Sequence, residues 1–257
     1  MKKKLAFSLV ELAVVLIILG LLVVGISTGE RLIGQSKLRT VIDDMEQYKV
    51  AFNTFYADYQ EYPGDMLDSS ALTLFGVTNQ TRQAANPAGD KYIGGYREAP
   101  MAFWHMQLAE IISGSYTGVF AHTEIPGVNV GKARYSDQSG FNFFTFGRTN
   151  NQWAYGNRDV YGLSGVIVIV FGNIDTSGYQ VADAALTAAD AFQIDVKLDD
   201  GLPNKGDVMA DHGRDVGSDN KCINYNKDAS YYAASDDPLE YKLSNEDLAC
   251  RMMFTLQ

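Results

Sequence analysis

Apolar positions follow three different rhythms along this chain, and each predicts a different element. From Phe7 to Gly29 they run without a charge except for Glu11. That is close to the roughly 20 residues a helix needs to cross the hydrocarbon core of a bilayer, so residues 7–29 predict a membrane span. From Leu38 the rhythm changes. Leu38, Val41, Ile42, Met45, Tyr48, Phe52, Phe55, Tyr56 and Tyr59 recur at three- and four-residue intervals, with Lys37, Arg39, Asp43, Asp44, Glu46, Gln47, Lys49, Asn53 and Asp58 mostly off that stripe. The spacing predicts an amphipathic helix over residues 30–62 that continues the span and packs one face against a globular head. Pro63 and Gly64 predict its end, because proline cannot extend a helix and glycine admits positive φ. A continuous helix of about 50 residues, at about 1.5 Å each, would be near 75 Å long.

The third rhythm fills the head, residues 63–257. It is one domain by length, with no linker and no internal repeat. Residues 67–96 carry Ser, Thr, Asn, Gln and Gly without a period and read as loop with one short element. Residues 98–112 predict a helix, with Pro100 in its first turn and Met101, Trp104, Leu108, Ile111 and Ile112 on one face. Strands are predicted at 128–135, 141–146 and 166–171; the last is uninterrupted, closed by Gly165 and Gly172, and a candidate central strand. It is too short for a second span. Residues 186–198 predict another helix, followed by turn chemistry at 199–203.

Charge orients this arrangement. Lys2, Lys3 and Lys4 precede the span, which by the positive-inside rule leaves the amino terminus cytoplasmic and the head exported. A cleaved secretory signal would end in small residues, whereas Gly29 is followed by Glu30, Arg31 and Leu32. The net charge of −10 and pI near 4.7 favour solubility and argue against nucleic acid as a partner of the head. Glu11 stands out, because an intramembrane carboxylate costs roughly 3 kcal/mol and normally has a partner there.

The residues around the start of the span, Ala6, Phe7, Ser8, Leu9, Val10 and Glu11, resemble the cleavage and methylation site of type IV pilins and type II secretion pseudopilins. The resemblance implies a leader, residues 1–6, cut between Ala6 and Phe7 by a prepilin peptidase that then methylates the Phe7 amine. The span survives that cut, and Glu11 becomes the natural counter-charge of an ammonium in a low-dielectric layer, its own or a neighbouring subunit's. Two departures are visible: Ala6 stands where glycine is usual, and Thr28 between Gly25 and Gly29 where many members have proline. The implied fold is α+β and pilin-like, a long amino-terminal helix carrying a head built on an antiparallel sheet. The implied role is that of a structural filament subunit without enzymatic activity. Its implied partners are the peptidase, other pilin or pseudopilin subunits, an inner-membrane assembly platform and lipid. The alternatives that such a leader leaves open are a signal-anchored exported enzyme or ligand-binding domain, or a minor pilin of a type IV pilus or DNA-uptake system.

Little else carries chemistry. His105, His122 and His212 lack metal-ligand spacing, and no nucleophile elbow, phosphate-binding loop or zinc motif occurs. Cys222 and Cys250 face an oxidising compartment, so a disulfide is the default and two buried thiols the alternative. It would also resemble the disulfide-bounded carboxyl-terminal region of pilins. Asp195, Asp199, Asp200, Asp207, Asp211, Asp215 and Asp219 crowd the approach to Cys222. They read either as a solvated acidic face or as oxygen ligands for Ca²⁺, without an EF-hand pattern. No other cofactor is expected. Asn79, Gln80 and Thr81 match a glycosylation sequon, to which no role is assigned.

Overall fold

A computed structural model describes residues 9–79, 89–94, 98–119, 123–146, 165–176, 180–216, 221–224 and 239–256. The chain divides into two compact units, residues 1–39 and 40–257. Helix α1, Leu9–Tyr59, contributes to both.

The described part of the first unit is helical throughout. An 18-residue window of α1 has a mean hydropathy of 3.0 with none of it buried, which makes it a candidate membrane span. The helix passes through Gly20, Gly25 and Gly29 without a break. The two hydroxyls between Leu9 and Gly29 are internally satisfied: Ser27 Oγ donates to the Val23 carbonyl at 3.1 Å and Thr28 Oγ1 to the Val24 carbonyl at 2.9 Å. Such back-bonding gives a hydroxyl on a helix a partner that needs no water.

The second unit is α+β. Its helices are the remainder of α1, α2 (Asp68–Phe75), α3 (Glu98–Leu108) and α4 (Ala188–Leu198). Its strands are β1 (Gly131–Lys132), β2 (Ser139–Thr145), β3 (Ile167–Ile174), β4 (Val181–Asp183), β5 (Val208–His212) and β6 (Cys250–Thr255). They form one antiparallel sheet in the order β1-β2-β3-β6-β5, with β4 added to β3. The expected strand 166–171 corresponds to β3, the centre of this sheet, which runs from Ile167 to Ile174 between β2 and β6.

The amphipathic stripe is buried as its period requires: Val41, Ile42, Met45, Phe52 and Phe55 are all in the core. They enter an aromatic layer shared with α3 and one face of the sheet. Ring centroids are 5.4 Å apart for Tyr48 and Phe103, 5.0 Å for Phe52 and Phe143, and 4.9 Å for Phe103 and Phe143. Such contacts exploit the edge and face charges of the rings beyond simple burial. Backbone approaches closely at Gly131, where a Cβ would lie 2.7 Å from a Phe103 ring carbon and 2.9 Å from Tyr48 Cζ. A second apolar cluster, including Phe144, Phe146, Val168, Val170 and Met253, uses the alternate positions of the same strands, so the sheet is buried on both faces.

Four sequence expectations are corrected. The amphipathic helix ends at Tyr59 rather than residue 62, because Gln60 turns left-handed (φ 56°) and its side-chain amide caps the Tyr56 and Ala57 carbonyls. Pro63 lies in the following turn. Helix α3 stops at Leu108, where Glu110 adopts φ 57° and the Ile111 amide reaches back to the Met106 carbonyl. The expected strand 128–135 shrinks to Gly131–Lys132. Asn129 instead spends its amide on the Val119 and Thr123 carbonyls, and Arg134 is drawn to Asp44. Asp44, placed off the apolar stripe by its polarity, is buried there. It accepts from the Arg134 backbone at 2.8 Å and from its guanidinium at 2.6 Å.

Candidate functional site

Glu11 lies in the first described turn of α1 and is the one charged residue between Leu9 and Gly29. Its neighbours on the helix are exposed aliphatic residues: Leu12, Val14, Val15, Leu16, Ile17 and Ile18 are each about half or more accessible. Apolar surface on that scale marks a lipid or protein contact. Ala6 and Phe7, the expected cleavage and methylation pair, lie outside the described residues.

Cys222 and Cys250 form the disulfide, both fully buried with Cα atoms 5.0 Å apart. The bond ties residues 221–224, where Ile223 bridges to Tyr241, to the first residue of β6, and β6 pairs with both β3 and β5. His212 sits beside it: the Cys222 amide donates to His212 Nδ1 at 3.2 Å, and burial lowers the imidazole's pKa.

The acidic run does not act as one group. Asp195, Asp199 and Asp200 converge, with one carboxylate oxygen of each lying within 4.8 Å of the others. Those oxygens are engaged by the chain itself. Asp195 accepts from Tyr241 Oη at 2.6 Å and from the Gly201 amide at 3.1 Å. Asp199 accepts from the Asp207 and Val208 amides, and Asp200 from the Leu202 amide at 2.8 Å. Burial pushes the Asp195 carboxyl up to about 6, with Asp200 and Asp199 adding like-charge repulsion against the hydrogen bonds that hold it down. Calcium takes six to eight oxygens. Among the described residues, three carboxylates already bracing the turn after α4 do not complete such a shell. The other members are dispersed: Asp207 accepts from Thr255 Oγ1 at 2.6 Å, Asp211 pairs with buried Arg251 at 2.8 Å, and Asp215 accepts from the Thr176 amide. Asp219 lies outside the described residues.

His105 proves to be a structural pin. Buried in α3, it accepts from the Gly64 amide at 3.0 Å through Nδ1, so Nε2 carries the proton and donates to Asn79 Oδ1 at 2.8 Å. Burial lowers its pKa to about 3, keeping it neutral. Asn79 in turn donates to the Met66 carbonyl at 2.7 Å, so the sequon asparagine is a buried bracket between α2 and α3. His122 is outside the described residues. A group not singled out by sequence is Glu124, fully buried, which accepts from Asn142 Nδ2 at 2.6 Å and the Val181 amide at 2.7 Å. Desolvation, helped by Asp175, pushes its carboxyl up to about 8 against those two hydrogen bonds. A lone Glu in a polar loop gives no local sign of burial, so only the sheet exposes its role.

No family model, curated protein or solved structure matches this chain.

Proposed function

We propose that this protein is a structural subunit of a type IV filament, a type II secretion pseudopilin or pilin-like protein held in the bacterial inner membrane before assembly. The observation that carries the reading is Glu11. It is the single charged residue in the exposed apolar stretch of α1 from Leu9 to Gly29, and the fifth residue of the chain that a cut before Phe7 would leave. The amino terminus is cytoplasmic and the head periplasmic in this proposal, with Lys2 to Lys4 setting the orientation. Filament packing covers the apolar surface of α1, and Glu11 neutralises the new amine, which gives the subunit its register. The elements support it further: a long amino-terminal helix, an antiparallel sheet and a disulfide near the carboxyl end suit a pilin-like plan, in which the head would form the outer surface. The work is mechanical, and prepilin peptidase, sister subunits and the assembly platform are its partners.

The test combines processing and assembly. With a prepilin peptidase present, intact mass and amino-terminal sequencing of the membrane-extracted protein should show a start at methylated Phe7. Glu11→Ala should remain membrane-inserted but drop out of filaments. An unprocessed Met1 beside an active peptidase would falsify this assignment.

A further inference from the structure

A groove of about 600 Å³ lies in the second unit on the solvent side of α1. The helix contributes Asp43, Glu46, Val50 and Thr54, and the segment after α3 contributes Ile111 and Ile112. The turn at Glu110 folds that segment back, so the two isoleucines wall the groove. Val50 is 64% exposed within it. Asp43 and Glu46 are exposed, and among the described residues neither enters an ion pair. A pair of carboxylates at the edge of an aliphatic trough matches a long cationic side chain, which lays its methylenes on apolar surface and carries its charge to the acids.

The chain's own charge distribution says where such a side chain is found. Once the cut before Phe7 has removed Lys2, Lys3 and Lys4, residues 7–39 hold three basic and two acidic side chains, a net charge of +1; residues 1–39 with the leader carry +4, so with −10 for the whole chain residues 40–257 carry −14. The surplus beyond the apolar run is Arg31, Lys37 and Arg39 against Glu30. Arg31 and Arg39 are exposed, and neither forms an ion pair among the described residues. Two acidic heads repel each other, whereas an acidic groove and a basic helical segment attract.

We infer that the groove receives the basic segment of α1, residues 31–39, from a second copy of this chain, with Arg31 or Arg39 set against Asp43 and Glu46. This rests on the filament reading and names the contact that reading leaves open. For parallel helices, bringing Arg39 level with Glu46 takes a displacement of seven residues, about 10 Å, and bringing Arg31 there takes fifteen, about 22 Å. A groove on one copy and a basic segment on the next form a heterologous contact that propagates rather than closes. Its contribution is register and partner choice, because exposed ion pairs add little affinity.

The experiment is disulfide trapping between two differently tagged full-length copies produced together with a prepilin peptidase and oxidised in the membrane. One copy carries Glu46→Cys and the other Arg31→Cys or Arg39→Cys; the native cystine is buried and does not compete. A mixed dimer is expected with one of the two arginine positions, and which one reports the stagger. Adding Asp43→Lys to the first copy should lower the yield several-fold. Asp58→Cys replaces Glu46→Cys as the control outside the groove, and Leu19→Cys with Ile26→Cys reports contact along the span. If the span pair is trapped while neither groove pair is, or if Asp58→Cys traps as well as Glu46→Cys, the groove has another occupant and the inference falls while assembly stands. If no pair is trapped, the filament reading fails and takes the inference with it.

Discussion

Buried charge is where single residues decide most. Glu124 is enclosed by β2 and the start of β4, and its carboxyl is raised from an ordinary 4.5 to about 8. The folded state therefore holds a proton that the unfolded chain releases near pH 4.5. Stability is full below that value and is lost as pH rises through about 8. Glu124→Gln should flatten this loss, read as the thermal midpoint between pH 5 and 9, and a wild-type midpoint that climbs over that range would contradict it. Asp195 adds a smaller loss of the same sign as pH rises from its ordinary range through about 6. Asp44 and Arg134 belong to the same scale. They are ninety positions apart, and no local pattern marks them as partners.

At the scale of elements, those with a strong local signal were legible. Helix α1 announces itself through an apolar run and then a stripe; α4, expected from residue 186, begins at Ala188 after Thr187, whose hydroxyl accepts from the Asp190 amide at 3.1 Å. Strands β4, β5 and β6 were not foreseen. Val181–Asp183 is too short to show alternation, Val208–His212 ends in charged and polar residues, and Cys250–Thr255 is rich in methionine and carries a buried arginine. They are strands because partners across the sheet satisfy their backbone groups, a property of the pairing rather than of the segment. The meeting of α1, α3 and β1 at Gly131 tests this packing directly. Gly131→Ala pushes a methyl group into the Phe103 and Tyr48 rings, and overpacking of this kind costs about 1–3 kcal/mol. Urea unfolding followed by near-ultraviolet dichroism should show the lowered midpoint; an unchanged one would mean the rings yield freely.

The molecule as a whole joins a helical unit with a candidate span to an acidic α+β unit whose last strand is stapled by the disulfide. That cystine closes a loop with a sequence separation of 28, for which chain entropy suggests about 3–4 kcal/mol. Cys222→Ser with Cys250→Ser should lower the unfolding free energy by that order and make the protein indifferent to reductant. Equal stability of the reduced and oxidised wild type would show that β6 holds its place without the bond.

The sequence by itself determined the features that neighbouring residues encode together: the apolar run and its single carboxylate, the stripe that follows, the central strand and the charge asymmetry between the two units. Each rests on period, length or charge count, which survive without any knowledge of long-range contacts. Only the tertiary structure decided which strands pair, that Cys222 and Cys250 stand within bridging distance, and that Asp44, His105, Asn79 and Glu124 are interior groups with named partners. It also dispersed an acidic run, continuous on paper, into a loop brace and separate contacts along β5. The physical reason is common to all of these. A buried polar group is stable only beside its hydrogen-bond partner, and that partner is supplied by chain closure over tens of residues rather than by the local run.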